Sequence, residues 1–111
     1  MKYEYEATLA RVIDGDTVVL KVDLGFKIEF EVTFMLLGID APEREAATME
    51  AGNAAKEYLI QLLTSHPLKI ETLKDKKDKY GRYLVTLYTD SSTVSINEEM
   101  VKAGHAVRVE S

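Results

Sequence analysis

Three short stretches carry the side chains with chemical reach in this 111-residue sequence: IDGDT at 13–17, GIDAPE at 38–43 and DKYGR at 78–82. Asp16 and Asp40 each stand at the end of an apolar, strand-like segment. Two carboxylates with a backbone carbonyl and waters make the hard oxygen site that Ca2+ accepts. Glu43, just beyond Asp40, is placed to take a proton from a water, and Arg82 arrives from another loop with a charge suited to phosphate. Together they fit metal-assisted phosphodiester hydrolysis, in which cation and arginine stabilise charge on the pentacoordinate phosphorus while the glutamate acts as general base. Taken singly, each stretch has an ordinary structural reading. Asp-Gly-Asp-Thr is a good hairpin turn, Ala-Pro-Glu a good strand exit, and Lys-Tyr-Gly-Arg a good exposed loop.

The elements that must position these residues are strands first, with helices as inserts. Segments 7–13, 17–24 and 28–37 are rich in Val, Ile, Leu and Phe, and in the third the even positions Ile28, Phe30, Val32, Phe34 and Leu36 are all apolar, a period of two. Asp14-Gly15 and Leu24-Gly25 supply hairpin turns, since glycine tolerates positive φ. From Asn53, a candidate N-cap, apolar residues Ala54, Ala55, Tyr58, Leu59, Leu62 and Leu63 follow helical spacing, predicting about three turns that end before Pro67. Strands over 68–73 and 83–89 come next, with Gly81 at the bend between them. Ser95-Ile96-Asn97-Glu98 reads as a capping box opening a last helix, which stops at Gly104. The expected fold is α+β, mainly β: a five-stranded barrel like the oligonucleotide-binding (OB) fold, with one helix between the third and fourth strands and a C-terminal helix.

The length predicts a single domain over 1–111, enough to bury roughly two-thirds of the unfolded chain's surface. Without cysteine, neither a disulfide framework nor a thiolate metal site is available. No apolar run reaches the length of a signal peptide core or a membrane span, so the expectation is a soluble, cytoplasmic chain, with a monomer as the default. The net charge of -5 argues against a nucleic-acid partner, but its distribution argues the other way: residues 69–82 carry six basic and three acidic side chains in an otherwise acidic protein. By itself, a mixed-charge run such as this is most simply a solvated loop.

VIDGDTV, LLGIDAPE, DKYGR and INEEMVKAGHA occur in the order and approximate spacing of the staphylococcal (micrococcal, thermonuclease-like) nuclease family, which the chain resembles over roughly residues 7–108. That resemblance implies a five-stranded OB barrel and cleavage of DNA and RNA with little sequence preference. It implies Asp16, Asp40 and the backbone carbonyl of Ala41 as ligands of a catalytic Ca2+, with Glu43 as general base. It further implies Arg82 as stabiliser of the transition state, and Lys79 and Tyr80 as binders of the nucleotide's other phosphate.

Two departures stand out. Met35 occupies the position of the family's phosphate-gripping arginine, five residues before Asp40, and methionine brings neither charge nor donor. Arg11 and Arg44 are the candidates to replace it, although both read first as surface charge. The chain also ends at Ser111, where longer members continue into a third helix, and Val101, Val107 and Val109 are the residues such a helix would leave uncovered. Two functions follow. One is a Ca2+-dependent nuclease weakened or compensated at Met35; the other is a degenerate OB module that binds single-stranded nucleic acid or a protein partner. His66 and His105 lack metal-type spacing and read as loop and helix-end residues.

Overall fold

The apolar alternation of the first third of the chain folds into β1 (Lys2–Asp14), β2 (Thr17–Asp23) and β3 (Glu29–Leu36), joined as antiparallel neighbours. The structure, a computed structural model, describes residues 2–42, 48–64, 66–77, 81–90 and 93–109. After β3 come the two-residue strand β4 (Ile39–Asp40), helix α1 (Met49–Leu63), β5 (Leu68–Lys77), β6 (Tyr83–Thr89), helix α2 (Ile96–Lys102) and a second two-residue strand, β7 (Val107–Arg108). The five long strands close a barrel in the order β1-β2-β3-β6-β5, with α1 between its third and fourth strands in sequence, which is the OB arrangement.

Closure depends on one short parallel ladder, Phe34–Leu36 against Tyr83–Val85. The other barrel pairs are antiparallel. Inward residues from all five long strands fill the barrel: Ala7 and Val12, Val18 and Leu20, Phe34 and Leu36, Ile70, Val85 and Leu87. Leu59 and Leu63 of α1 and Met100 of α2 complete this core.

Several expectations change. The period of two in β3 is present, but Ile28 and Phe30 are exposed, because β6 pairs with β3 only from Phe34 onward and, among the described residues, no other strand pairs with the first half on that side. Helix α1 begins at Met49, with Thr48 as its cap residue, and Asn53 is an exposed position inside it. Its buried stripe is Gly52, Ala55, Leu59 and Leu63, so the first turn meets the barrel through a residue with no side chain and leaves no apolar signal.

Gly25 does adopt positive φ, at 82°, but Gly15 does not; Gly15 is needed for space instead. A Cβ on it would lie 2.7 Å from Cβ of Ala55 and 2.9 Å from Cβ of Ala41. The Ser95 hydroxyl caps α2 by accepting from the Glu98 N–H at 3.1 Å, but the glutamate carboxylate does not reach back; both its oxygens are taken by the Arg108 guanidinium of β7. That charge-assisted pairing holds the Glu98 carboxyl below its usual range.

Candidate active site

Asp16 and Asp40 are brought together at one end of the barrel. Asp16 ends the β1–β2 turn and is only 7% exposed. Its Oδ2 accepts the Ala41 backbone N–H at 3.0 Å, its Oδ1 accepts the Thr17 hydroxyl at 3.0 Å, and its carbonyl accepts the Leu36 N–H at 2.8 Å. The carboxylate is thereby tied to β2, to the end of β3 and to the residue after β4. Close approach of these segments requires small residues, and Gly15, Ala41 and Ala55 are the ones that meet there.

Asp40 is exposed and lies on β4. Two residues of backbone would not hold a strand alone; β7 pairs with it, Ile39 against Arg108 and Asp40 against Val107, and the Val109 N–H bonds the Gly38 carbonyl at 2.9 Å. Upstream, the buried Asn97 side chain donates to the Leu37 carbonyl at 2.8 Å and to the Val85 carbonyl at 3.1 Å, and accepts the Leu87 N–H at 3.1 Å. The segment 37–40 is therefore gripped from both sides. Val107 and Val109 remain exposed at their side chains while their backbones perform this role.

The electrostatics of this corner are those of neighbouring acids. Burial pushes the Asp16 carboxyl above its ordinary value; the Ala41 N–H and the Thr17 hydroxyl pull it back, and the charges of Asp40 and Asp14 push it further up. Acids this close, in a partly dehydrated setting, gain from a bound divalent cation, and the donors on offer are all oxygen. Among the described residues, no group of three or more His, Asp or Glu side chains gathers at metal-binding distance.

Met35 lies opposite Thr17 in the β2–β3 ladder and beside Leu84 of β6. Its Sδ stands 3.1 Å from the Thr17 hydroxyl, which also faces Asp16. A hydroxyl has one proton, so sulfur and carboxylate compete for it. The sequence gives Thr17 no separate role beyond its membership of the IDGDT stretch, directly after Asp16.

Arg82 is half-buried and immediately precedes β6, whose first residue, Tyr83, pairs with Phe34; the arginine therefore enters at the Phe34 end of that ladder. Glu43, Lys79 and Tyr80 lie outside the described residues, as does Arg44. Arg11 faces away: it ion-pairs with Glu31 at 3.3 Å on the exposed barrel surface. His66 stands 3.9 Å from Asp90, and His105 stacks on Tyr58 with ring centres 4.7 Å apart. No helix is long and apolar enough to cross a membrane among the described residues.

Residues 33–111 match the family described as "Staphylococcal nuclease homologue". The chain is 34% identical to endonuclease YhcR of Bacillus subtilis (strain 168) over 114 residues, covering 93% of this chain and 9% of that protein. It is 36% identical to endonuclease YncB of the same organism over 103 residues, 89% of this chain and 46% of that one. Thermonuclease of Staphylococcus hyicus is 29% identical over 99 residues, 86% of this chain and 54% of that one. The chain thus spans about half or less of each of these relatives.

Proposed function

Because the chain belongs to the staphylococcal nuclease homologue family, we propose that it hydrolyses phosphodiester bonds of DNA and RNA with little sequence preference and in a Ca2+-dependent manner. The observation that carries this reading is the convergence of Asp16 and Asp40 around the Ala41 backbone, with burial already penalising the Asp16 charge. Asp16, Asp40 and the Ala41 carbonyl would hold the cation, which when bound supplies Lewis-acid stabilisation of charge on the phosphate.

The remaining work falls to the chain's own groups. Glu43 accepts the proton of the attacking water as general base. Arg82 donates to phosphate oxygens as charge builds on them, and Lys79 and Tyr80 bind the neighbouring phosphate. Met35 contributes no donor to that charge. Loss of one preorganised donor costs about 10²- to 10³-fold in rate, so the proposed activity is slow but present. The substrate is taken as single-stranded, the protein as a monomer, and its setting as the cytoplasm, in keeping with a chain that contains no cysteine.

A second reading is favoured by one observation. Met35 is already engaged with Thr17 and leaves the phosphate side of the site without the family's arginine, as suits a module that binds nucleic acid without cutting it. Both readings are tested by degradation of single-stranded DNA with and without Ca2+, using the parent, Glu43→Ala and Met35→Arg. Slow Ca2+-dependent cutting by the parent, none by Glu43→Ala, and cutting about 10²-fold faster by Met35→Arg support the nuclease. Cleavage by Met35→Arg alone supports the binding module, and parental cleavage unaffected by Glu43→Ala rules out the proposed base.

A further inference from the structure

The segment that leads from α2 to the partner strand of Asp40 carries none of the groups assigned to hydrolysis. Its near end is well anchored. The His105 N–H closes α2 on the Met100 carbonyl at 3.0 Å, Gly104 supplies the turn at φ 80°, the His105 ring stacks on Tyr58 of α1, and Ala106 is buried. Beyond Ala106 the apolar anchorage stops, because Val107 and Val109 are exposed. The backbone's share of the hold is a two-residue ladder and the Val109 N–H on the Gly38 carbonyl. A strand this short that buries so little opens locally at small cost unless something else fastens it. Among the described residues, that fastening is the Arg108 guanidinium, whose two terminal nitrogens meet the two carboxylate oxygens of Glu98 in the first turn of α2.

We infer that Arg108 is a positioning residue for Asp40: ion-paired with Glu98, it fastens β7 to α2, and β7 in turn fixes the backbone that carries the Asp40 carboxylate. The inference rests on the cation site proposed above, but not on hydrolysis. Residues opposite each other in a ladder share a face, so Arg108 lies on the side of the buried Ile39, and Asp40 on the side of Val107. The guanidinium therefore acts on Asp40 through the backbone. Helix α2 is a firm base for the tie. Asn97, next to Glu98, is bonded into the barrel at Val85 and Leu87, and Met100 sits in the core. The same helix thus holds the Asp40 segment twice, directly through Asn97 at Leu37 and indirectly through Glu98 and Arg108 at β7. The pair adds little to the stability of the whole domain, since its side chains are 65% and 37% exposed and exposed ion pairs are weak. Its effect is local.

Charge and positioning predict opposite signs for one variant. Arg108→Gln removes a positive charge from beside β4, which by Coulomb attraction alone would tighten Ca2+ binding, whereas loss of positioning weakens it. The test is calorimetric titration of Ca2+ into the parent, Arg108→Gln, Glu98→Gln and the double variant. Arg11→Gln, which breaks the exposed Arg11–Glu31 pair on the barrel surface, is the control. In parallel, amide exchange of Val109 is followed by NMR in EDTA against the amides of the β1–β2 ladder. Affinity should fall roughly 10-fold in each single variant, the lower end for loss of a group that orients a metal ligand, and no further in the double. Val109 should exchange faster by a comparable factor, with the β1–β2 amides and the melting temperature little changed and Arg11→Gln like the parent. Affinity unchanged or raised in Arg108→Gln, with the parent still binding, overturns the inference and leaves the cation site standing. Faster exchange throughout the barrel also overturns it, since the pair would then serve stability alone. A parent that takes up no Ca2+ defeats the site and the inference together.

Discussion

Asn97 ties the barrel to the segment bearing Asp40, and replacing it with alanine should be among the most destabilising single changes in the protein. The residue is 5% exposed and its amide makes three bonds, to the Leu37 and Val85 carbonyls and from the Leu87 N–H. The Val85 carbonyl survives the change, because it also accepts the Leu37 N–H at 2.8 Å. The Leu87 N–H is left without that partner in the core, and the half-buried Leu37 carbonyl recovers only partly through water. A buried group stripped of its partner costs about 1–3 kcal/mol, so the total is about 2–4 kcal/mol against a whole-domain stability of about 5–15. For a domain of this size that lowers the melting temperature by roughly 8–16 °C. Urea titration followed by circular dichroism measures it. Asn97→Asp sharpens the test: the carboxylate keeps an acceptor for Leu87 but sets an oxygen against two carbonyls, so that variant should lose further stability as pH rises and the acid ionises. A fall below about 1 kcal/mol in Asn97→Ala, or an Asn97→Asp protein as stable as the parent at neutral pH, would refute the reasoning.

Two further outcomes follow from the site. The folded Asp16 carboxyl titrates above its ordinary value, so its contribution to stability is greatest below that ordinary value and is lost as pH rises through the raised one. Asp16→Asn should therefore unfold at higher urea than the parent at neutral pH without Ca2+, and should lack the stabilisation by added Ca2+ that the proposed site predicts for the parent; lower stability without the cation would contradict this. Gly15→Ala forces a methyl to within 3 Å of Ala55 and Ala41 and should cost about 1–3 kcal/mol, with Ca2+ affinity falling in parallel when read by calorimetry. An unchanged Ca2+ affinity would mean the helix moves away without disturbing Ala41.

Alternation in β3, the turn at Gly25 and the Ser95 cap were legible in the sequence because each depends on residues a few positions apart. So was the pairing of Asp16 with Asp40, which a recognisable motif order carries. What escaped was set by distant partners. The first turn of α1 was invisible because Gly52 is its contact residue. Gly15 looked like a turn glycine until Ala41 and Ala55 were seen against it. The Glu98 side chain, expected to complete its own cap, goes to Arg108, ten residues on. β4 and β7 have two residues each, too few for any period to register. Thr17 and Met35 meet across the ladder, and their competition for one proton depends on a register that spacing alone does not supply.

The pairing of β4 with β7 also sets an order of events. Asp40 and Val107, its ladder partner, lie 67 residues apart in the chain. At about 5–20 residues per second, a ribosome that has incorporated Asp40 needs roughly 3–13 s more to reach Val107. Until then the acid pair has only one member held in place, however complete the early hairpins are. For the hydrolysis proposed above, β7 would act as a delay: Asp40 is not held in place until the strand that pairs with it has been made.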